Sequence, residues 1–382
     1  MAEYGAAMKV VTNVHATSPT GGVELHVFQM TQALARRGHD VHLLYAEKGT
    51  LDTEYRQFCA SVTRVPSVDY WFPDGRRGRV EGLAALTPAV WATARRRPDV
   101  IYGNRIYSNG WTVPAGMLTS TPVVCHLHGH TGLRAKDVAF LNRHVARFIP
   151  VSHFVADLWA ESGLDPAKTT TVHNAIDPAD YPPGGPDERA AARHEFGLPD
   201  DAFVVTYVGR LDREKGVDVL LRAWRRLGLT PDEGRLLLVG SSTVDHDGGA
   251  NLAELHGLVD DSVVMMGNQF DVVTPRHAAD VCVVPSRFLE PFGRTVIEGL
   301  ATGRPVVASR IGGIPEILFG DLEHLLVTPE DVDELAERLR SLMTWHDDDP
   351  GLADRCIERV RTTFQLDQAV DRIEDVLQSV VD

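Results

Sequence analysis

The chain has 382 residues, of which 43% are hydrophobic and 24% charged, a composition typical of a packed globular protein of about two domains. Its formal net charge of −15 argues against nucleic acid as a partner and against stable docking on anionic lipid, because both need a basic surface. No apolar run is long enough to span a bilayer, the N-terminus lacks a signal-peptide pattern and the four cysteines form no C-x-x-C pair, so we expect a cytoplasmic protein.

The first half of the chain alternates strand-like and helix-like segments, as parallel α/β sheets do. A strand at Val10 and Val11 leads through the glycines Gly21 and Gly22 into a helix over residues 23–37, where apolar residues recur at helical spacing. Continuous apolar runs predict further buried strands at residues 40–47, 99–104, 122–128 and 147–152.

A segment rich in proline and glycine, residues 177–191, is the best candidate for a linker between domains. After it, apolar runs predict strands at residues 202–210, 235–241, 262–268, 280–286, 304–309 and 324–328. The remainder is predicted as a capped amphipathic helix over 328–343, a solvated loop over 345–351 and a final helical region over about 353–382.

This order of elements predicts two doubly wound α/β domains, residues 1–178 and 179–360. We expect the last helix, residues 361–382, to pack back towards the first domain. Ligands of such sheets bind at the carboxyl ends of the strands, so the cleft between the two domains is the predicted site.

A glycine turn in the second domain carries two cations. Gly209 ends a predicted strand, Arg210 and Lys215 follow it, and a helix begins near Val217. Guanidinium and ammonium groups beside the N–H groups of a helix start would suit a diphosphate. The alternative is a pair of solvated cations beside a turn.

A second glycine turn lies in the segment EPFGRTVIEGL. Gly293 allows a close approach to a ligand, and the N–H groups of Arg294 and Thr295 would point at phosphate or sugar. Glu298, one turn into the helix, can accept hydrogen bonds from both hydroxyls of a ribose, and Glu290 would face the reacting sugar. The alternatives are a favourable helix-terminus charge for Glu298 and a solvated carboxylate for Glu290.

Three histidines alternate along the segment CHLHGHT at the end of a predicted strand. His126, His128 and His130 would share one face of an extended strand. Alternate residues of one strand do not complete a tetrahedral zinc site without a further ligand, so we expect no metal here. Hydrogen-bonded packing is the alternative for His126 and His130.

The order and spacing of these motifs resemble the retaining glycosyltransferases of family 4, which have the GT-B fold of two Rossmann-like domains facing across a cleft. The resemblance extends over nearly the whole chain, through the segments GGVELHVFQMTQALARRGHDV, HLHGHT, PVSHFVAD, VHNAIDPADY, VGRLDREKGVDVLLRAW, LLLVGS, ADVCVVPS, EPFGRTVIEGLATGRPVVAS and GGIPEIL. The chain departs from the family's Pro-Asn-Gly at His173, Asn174 and Ala175. No G-x-G-x-x-G follows the first strand, which argues against a dehydrogenase.

The resemblance implies that Arg210 and Lys215 hold a nucleotide diphosphate, that Glu298 holds its ribose, and that Glu290 and His128 lie beside the donor sugar. No metal or cofactor is implied, since the nucleotide sugar is a co-substrate. The expected catalytic residues are His128, Arg210, Lys215 and Glu290. The expected donor contacts are Gly21, Gly22, Gly209, Arg210, Lys215, Asn268, Phe292, Gly293, Arg294, Thr295 and Glu298, and the expected acceptor contacts are Glu24, His126, His130 and Asn174.

The expected reaction moves a hexosyl or aminohexosyl group from a nucleotide diphosphate sugar to a hydroxyl of a small molecule, and the resemblance implies retention of configuration. Uridine is favoured over guanosine and adenosine. The acidic balance favours an aminated acceptor, such as an aminocyclitol in antibiotic biosynthesis, approached through Glu24, Asp69, Asp74 and Asp137. The alternatives are a nucleotide-sugar 2-epimerase, a transferase acting on a polysaccharide or sugar phosphate, and a non-catalytic nucleotide-sugar-binding protein. No pattern indicates the oligomeric state.

Overall fold

The computed structural model describes residues 6–19, 21–68, 76–241 and 255–381, with the side chains of 76–84 left aside. The chain divides into two compact units, Met1–Ala175 with Leu366–Asp382, and Ile176–Gln365. The boundaries therefore fall after Ala175 and Gln365, where the sequence predicts residues 178 and 360.

The first unit is an α/β unit with helices between parallel strands. Its strands and helices are β1 (Lys9–Ala16), α1 (Gly22–Arg36), β2 (Asp40–Glu47), α2 (Asp52–Phe58), β3 (Ser61–Arg64), α3 (Arg76–Ala94), β4 (Val100–Gly103), α4 (Asn109–Thr119), β5 (Val123–Leu127), α5 (Ala135–His144), β6 (Arg147–Pro150) and α6 (His153–Glu161). The six strands form one parallel sheet in the order β3-β2-β1-β4-β5-β6. Continuous Val, Ile and Leu runs form the central strands because both faces of the sheet are covered.

The second unit repeats this architecture. Its strands and helices are α7 (Pro186–Glu195), β7 (Phe203–Val208), α8 (Val217–Leu227), β8 (Gly234–Val239), β9 (Val263–Gly267), α9 (Thr274–Ala278), β10 (Val281–Val284), α10 (Arg294–Ala301), β11 (Val306–Ser309), β12 (Leu326–Val327), α11 (Val332–Ser341), α12 (Trp345–Asp348) and α13 (Leu352–Thr363). Its sheet is parallel, with the order β12-β11-β10-β7-β8-β9.

The last helix, α14 (Leu366–Gln378), belongs to the first unit, where its apolar stripe packs against α1. Val370 and Ile373 join Met30 and Leu34 in one buried cluster. At the edge of this contact, Arg37 donates a 2.8 Å hydrogen bond to Glu374.

Each sheet has a point where the chain direction across the sheet reverses. In the first unit it lies between β1 and β4, and in the second between β7 and β10. Ligands of doubly wound sheets bind outside the carboxyl ends of the strands at this switch point. We therefore expect a functional site among the residues that follow these four strands.

The interpretation of residues 177–191 as a linker is wrong, because this segment is packed within the second unit. Gly184 donates to the backbone of Thr302 and accepts from the guanidinium of Arg304. The helix α7 begins inside the segment, and its Arg193 pairs with the buried carboxylate of Asp280 at 2.8 Å. Composition suggested a linker, but tertiary contacts hold the segment in place.

The prediction of a solvated loop over residues 345–351 is also wrong for the first residues of that range. Residues 345–348 form α12, and Trp345 is buried, with its indole N–H donating to the carbonyl of Asp280.

Among the residues that the structure describes, no helix has both the length and the apolar character needed to cross a bilayer.

Candidate functional site

An ion pair lies at the switch point of the second unit. Lys215, in the loop after β7, donates from Nζ to Oε1 of Glu290, in the loop after β10, at 2.5 Å. Ser286 donates to the same oxygen at 2.7 Å. The side chain of Asp212 accepts from the N–H of Lys215 and so fixes the turn that carries the lysine.

The backbone of Glu290 is held by the glycines of the segment GGIPEIL. The N–H of Gly313 donates to the Glu290 carbonyl at 2.8 Å. Gly312 has φ +62°, and a Cβ there would lie 2.1 Å from the Glu290 carbonyl oxygen. Glycine is therefore required at 312, and it sets the position of a predicted catalytic carboxylate.

Arg210 is placed in the same turn but does not join this ion pair. Its guanidinium is about half exposed and pairs with Asp212 at 2.9 Å and Glu214 at 3.7 Å. Its carbonyl accepts a hydrogen bond from the buried hydroxyl of Tyr207. Gly209 extends the sheet by donating to the carbonyl of Val239. The turn is thus fixed through the backbone, while the guanidinium is held by carboxylates that a diphosphate could replace.

The glycine turn before α10 has the geometry that the sequence predicts. Gly293 occupies the N-cap with φ +108°, a conformation that favours glycine, and Arg294 and Thr295 form the first helical positions. Their N–H groups belong to the first turn, where backbone donors have no partner within the helix. Phe292 is buried against Phe364, so its side chain serves packing.

The carboxylate of Glu298 already receives three hydrogen bonds. Oε1 accepts from Tyr181 at 3.1 Å and from Nε of Arg294 at 2.9 Å, and Oε2 accepts from Arg276 at 2.7 Å. Burial and the neighbouring Glu298 charge raise the pKa of Tyr181 to about 12, so its hydroxyl remains a donor. Since each oxygen has two lone pairs, the described contacts occupy Oε1 and leave one acceptor position on Oε2. A ribose that uses both oxygens must displace Arg294 or Tyr181.

Asn268, one of the expected donor contacts, is in the exposed loop after β9. The neighbouring Phe270 is fully exposed, and Gln269 donates to the carbonyl of Met266.

A second charged contact lies at the switch point of the first unit. Gly21 is the N-cap of α1 in an extended conformation, Gly22 begins the helix, and Glu24 stands in its first turn. Arg105, which follows β4, pairs with Oε1 of Glu24 at 2.5 Å. This pair joins the glycine loop to the end of the neighbouring strand.

Beside it, His126 and His128 stack at the end of β5 with ring centroids 4.3 Å apart. His26 of α1 meets both rings edge-on, at 4.9 and 5.1 Å. Nδ1 of His126 lies 2.5 Å from the hydroxyl of Tyr102. Burial, followed by the other imidazoles, lowers the pKa of His126 well below its usual value. Burial, His26 and Arg105 do the same for His128, so both rings are neutral at pH 7.

His130 does not share this cluster, and the expectation that three alternate histidines line one face is wrong. The strand β5 ends at Leu127, so the alternation of side chains stops after His128. His130 is exposed, 2.7 Å from Ser162 through Nε2, with its ring against Trp159.

The other expected acceptor contacts are scattered. Asn174 is half-buried next to Ala175, the last residue of this part of the first unit. Asp137 pairs with Arg134 at 2.6 Å. Asp69 and Asp74 lie outside the described residues.

Sequence reasoning missed the residues that hold the predicted ones in place. Ser286 and Arg105 each follow a buried strand by two positions, and this signal could have identified them. The others are His26, Tyr102, Tyr181 and Arg276. Tyr181 is 117 residues from Glu298 in sequence, and no local pattern indicates such a contact.

Known proteins resemble this chain in sequence and structure. The family described as Glycosyltransferase Family 4 matches residues 20–180, and the family described as Glycosyl transferases group 1 matches residues 202–344. The D-inositol 3-phosphate glycosyltransferase of Mycolicibacterium vanbaalenii is 33% identical, covering 94% of this chain and 85% of its own. The enzyme of the same name from Stackebrandtia nassauensis is 35% identical, covering 86% and 80%. The crystal structure of Anabaena HepE in complex with UDP and glucose covers 97% of this chain and 100% of its own, with a TM-score of 0.81 at 22% identity.

Proposed function

The chain belongs to the family 4, group 1 glycosyltransferases, and we propose that it transfers a hexosyl group from a UDP-sugar to a hydroxyl of a cyclitol phosphate. The family, the GT-B fold and the enzyme class expected from the sequence are confirmed by these relatives and by the two six-stranded parallel sheets. The nucleotide, the sugar, the acceptor and the stereochemistry belong to the proposal.

The Lys215–Glu290 pair at the β7/β10 switch point carries the donor side of the proposal. When the glycosidic bond breaks, negative charge develops on the leaving diphosphate. Lys215, Arg210 and the first N–H groups of α10 would stabilise that charge by preorganised electrostatics. Uridine is supported by HepE, which was crystallised with UDP.

The proposed acceptor differs from the aminated molecule that the net charge favours. The two relatives described above are named for D-inositol 3-phosphate. In this chain, the described carboxylates that the sequence suggests for binding an amine are neutralised, since Glu24 pairs with Arg105 and Asp137 with Arg134. A cyclitol that carries a phosphate therefore fits the charge at these positions better than a cationic one.

In the proposed mechanism, Glu290 and His128 act on the sugar. Lys215 and Ser286 hold the carboxylate of Glu290, which would orient a sugar hydroxyl. Neutral His128 would accept a hydrogen bond from another hydroxyl. Retention would follow if the acceptor attacked the face that the diphosphate leaves, with a phosphate oxygen taking the acceptor proton. No metal is needed for these steps.

The test is a release assay with the purified protein. UDP-glucose or UDP-N-acetylglucosamine is incubated with D-inositol 3-phosphate, unphosphorylated inositol or an aminocyclitol, and UDP is quantified while mass spectrometry detects the product. We expect release and a glycosylated product with the phosphate alone, and NMR of the anomeric proton should show retention. Product from the aminocyclitol alone would overturn the acceptor assignment, and UDP release with a 2-epimer and no acceptor would identify an epimerase.

A further inference from the structure

The histidine cluster of the first unit has three members rather than two. From the sequence we expect no metal at His126, His128 and His130, because alternate residues of one strand lack a further ligand. The structure supplies one, because α1 places His26 against both rings. Two imidazoles at the end of β5 and a third from α1 make a three-histidine set of the kind that binds zinc with an open fourth position.

Nitrogen atoms of the three imidazoles lie near one another. One ring nitrogen from each of His26, His126 and His128 lies within 4.8 Å of the other two. A tetrahedral Zn²⁺ with nitrogens at about 2.0–2.1 Å would set them about 3.3 Å apart. Closing the set therefore shortens each nitrogen–nitrogen separation by at most about 1.5 Å, within reach of small side-chain rotations.

His126 and His128 contain ring nitrogens that have no hydrogen-bond partner among the described residues. His26 and His126 are buried. Among the described residues, Nε2 of His126 and both ring nitrogens of His128 are shielded from solvent and have no hydrogen-bond partner. Buried polar atoms are normally satisfied, so these nitrogens are open to a ligand that the protein chain does not supply.

The surroundings also suit a dication. Tyr102 meets Nδ1 of His126, which leaves Nε2 to bind the metal, and its hydroxyl can orient the ring as outer-shell partners of ligating histidines do. Arg105 is a nearby cation, and Glu24 pairs with it at 2.5 Å, which reduces its repulsion of a metal.

We propose that His26, His126 and His128 bind one transition-metal dication of the Zn²⁺ type, and that occupancy inhibits glycosyl transfer by withdrawing His128 from the sugar. The proposed metal binding follows from the geometry of the three histidines, whereas the proposed inhibition rests on the proposed role of His128. The metal is not a catalytic cofactor in this proposal.

Binding is tested first, without any assay of activity. The full-length protein is treated with EDTA, dialysed and titrated with Zn²⁺ by calorimetry, and with Co²⁺ by absorption. We expect His26→Gln to bind one equivalent of Zn²⁺ fewer than the wild type, and the wild type to give the visible bands of tetrahedral Co²⁺. The control is His144→Gln, a histidine outside the cluster, which should keep the full stoichiometry.

Inhibition is tested second. At Zn²⁺ about ten times the measured dissociation constant, the transfer rate of the wild type should fall about tenfold by mass action, and that of His26→Gln should not change. Equal Zn²⁺ stoichiometry in His26→Gln and wild type, or no tetrahedral Co²⁺ spectrum in the wild type, would overturn the site. Zn²⁺ binding without inhibition would overturn the inhibitory step alone. A protein that lacks transferase activity but loses one Zn²⁺ in His26→Gln would refute the proposed function and leave the metal site standing.

Discussion

Lys215 and Glu290 form a 2.5 Å ion pair that joins the loops after β7 and β10. Both side chains are largely buried, and Ser286 donates to the same carboxylate oxygen. In the absence of a ligand, each charge is therefore neutralised by the other. A diphosphate would provide Lys215 with a second anion and leave Glu290 available to a sugar hydroxyl.

Glu290→Gln should reduce the transfer rate by about a hundredfold, on the scale of losing one preorganised electrostatic contact. The amide keeps an acceptor for Ser286 but loses the charge. Steady-state kinetics should show the loss in kcat. The matched control is Glu330→Gln, which removes an exposed carboxylate paired with Arg287 and should leave kcat unchanged. Equal rates for Glu290→Gln and wild type would remove Glu290 from the mechanism.

Arg210→Ala should lower the turnover of the enzyme while leaving the stability of the fold almost unchanged. The guanidinium is about half exposed and its ion pairs lie at the surface, so the free energy of unfolding should change by less than about 1 kcal/mol. Turnover should fall about a hundredfold, because the diphosphate loses a cation. Arg310→Ala, equally exposed and paired with Glu323, serves as the control. Normal turnover by Arg210→Ala would end the assignment of this residue to the phosphate.

Glu298→Gln should weaken the binding of UDP but not that of inorganic pyrophosphate. A ribose hydroxyl loses a charged acceptor, which is worth about 1.5–3 kcal/mol, or about a tenfold to hundredfold change in affinity. Pyrophosphate has no ribose and reports on the phosphate contacts alone. Calorimetric titration of both ligands measures the difference. A parallel loss for both would mean that Glu298 acts through Arg276 and Arg294 rather than on the ribose.

The first unit should lose stability as the pH falls below about 6.5. His126 is neutral in the folded protein, because burial and then His128 and His26 lower its pKa, whereas in the unfolded chain it takes up a proton near pH 6.5. The unfolded state then binds more protons, so stability decreases with falling pH by up to about 1.4 kcal/mol per pH unit for this imidazole. Urea unfolding of wild type and His126→Gln between pH 5 and 8 should give a shallower slope for the variant. Parallel slopes would show that His126 is already protonated when folded.

The sequence predicted the central strands well because the pattern that specifies each one lies within a few consecutive residues. The run around Val281 to Val284 is apolar at every position, as a strand covered on both faces must be. β3 was missed because Ser61–Arg64 has a single large apolar residue and lies at the edge of the sheet. The glycine turn at Gly293 was predictable because its chemistry depends on one residue.

The contacts between distant residues could not be predicted in this way. Arg276 and Tyr181 hold Glu298 only because the fold brings α9 and the segment around Tyr181 next to α10. His26 fits the helical spacing of α1, and spacing alone does not distinguish it from a packed core residue. His130 fails to join the other histidines because the strand ends at Leu127, and element ends are poorly encoded by propensity.

The most direct measurement is a crystal structure of the protein with UDP. The proposal predicts that the diphosphate lies at the carboxyl ends of β7 and β10, within hydrogen-bond distance of Lys215 and the first N–H groups of α10, with the ribose at Glu298. UDP bound at another place, with Lys215 and Glu290 still paired and untouched, would contradict it.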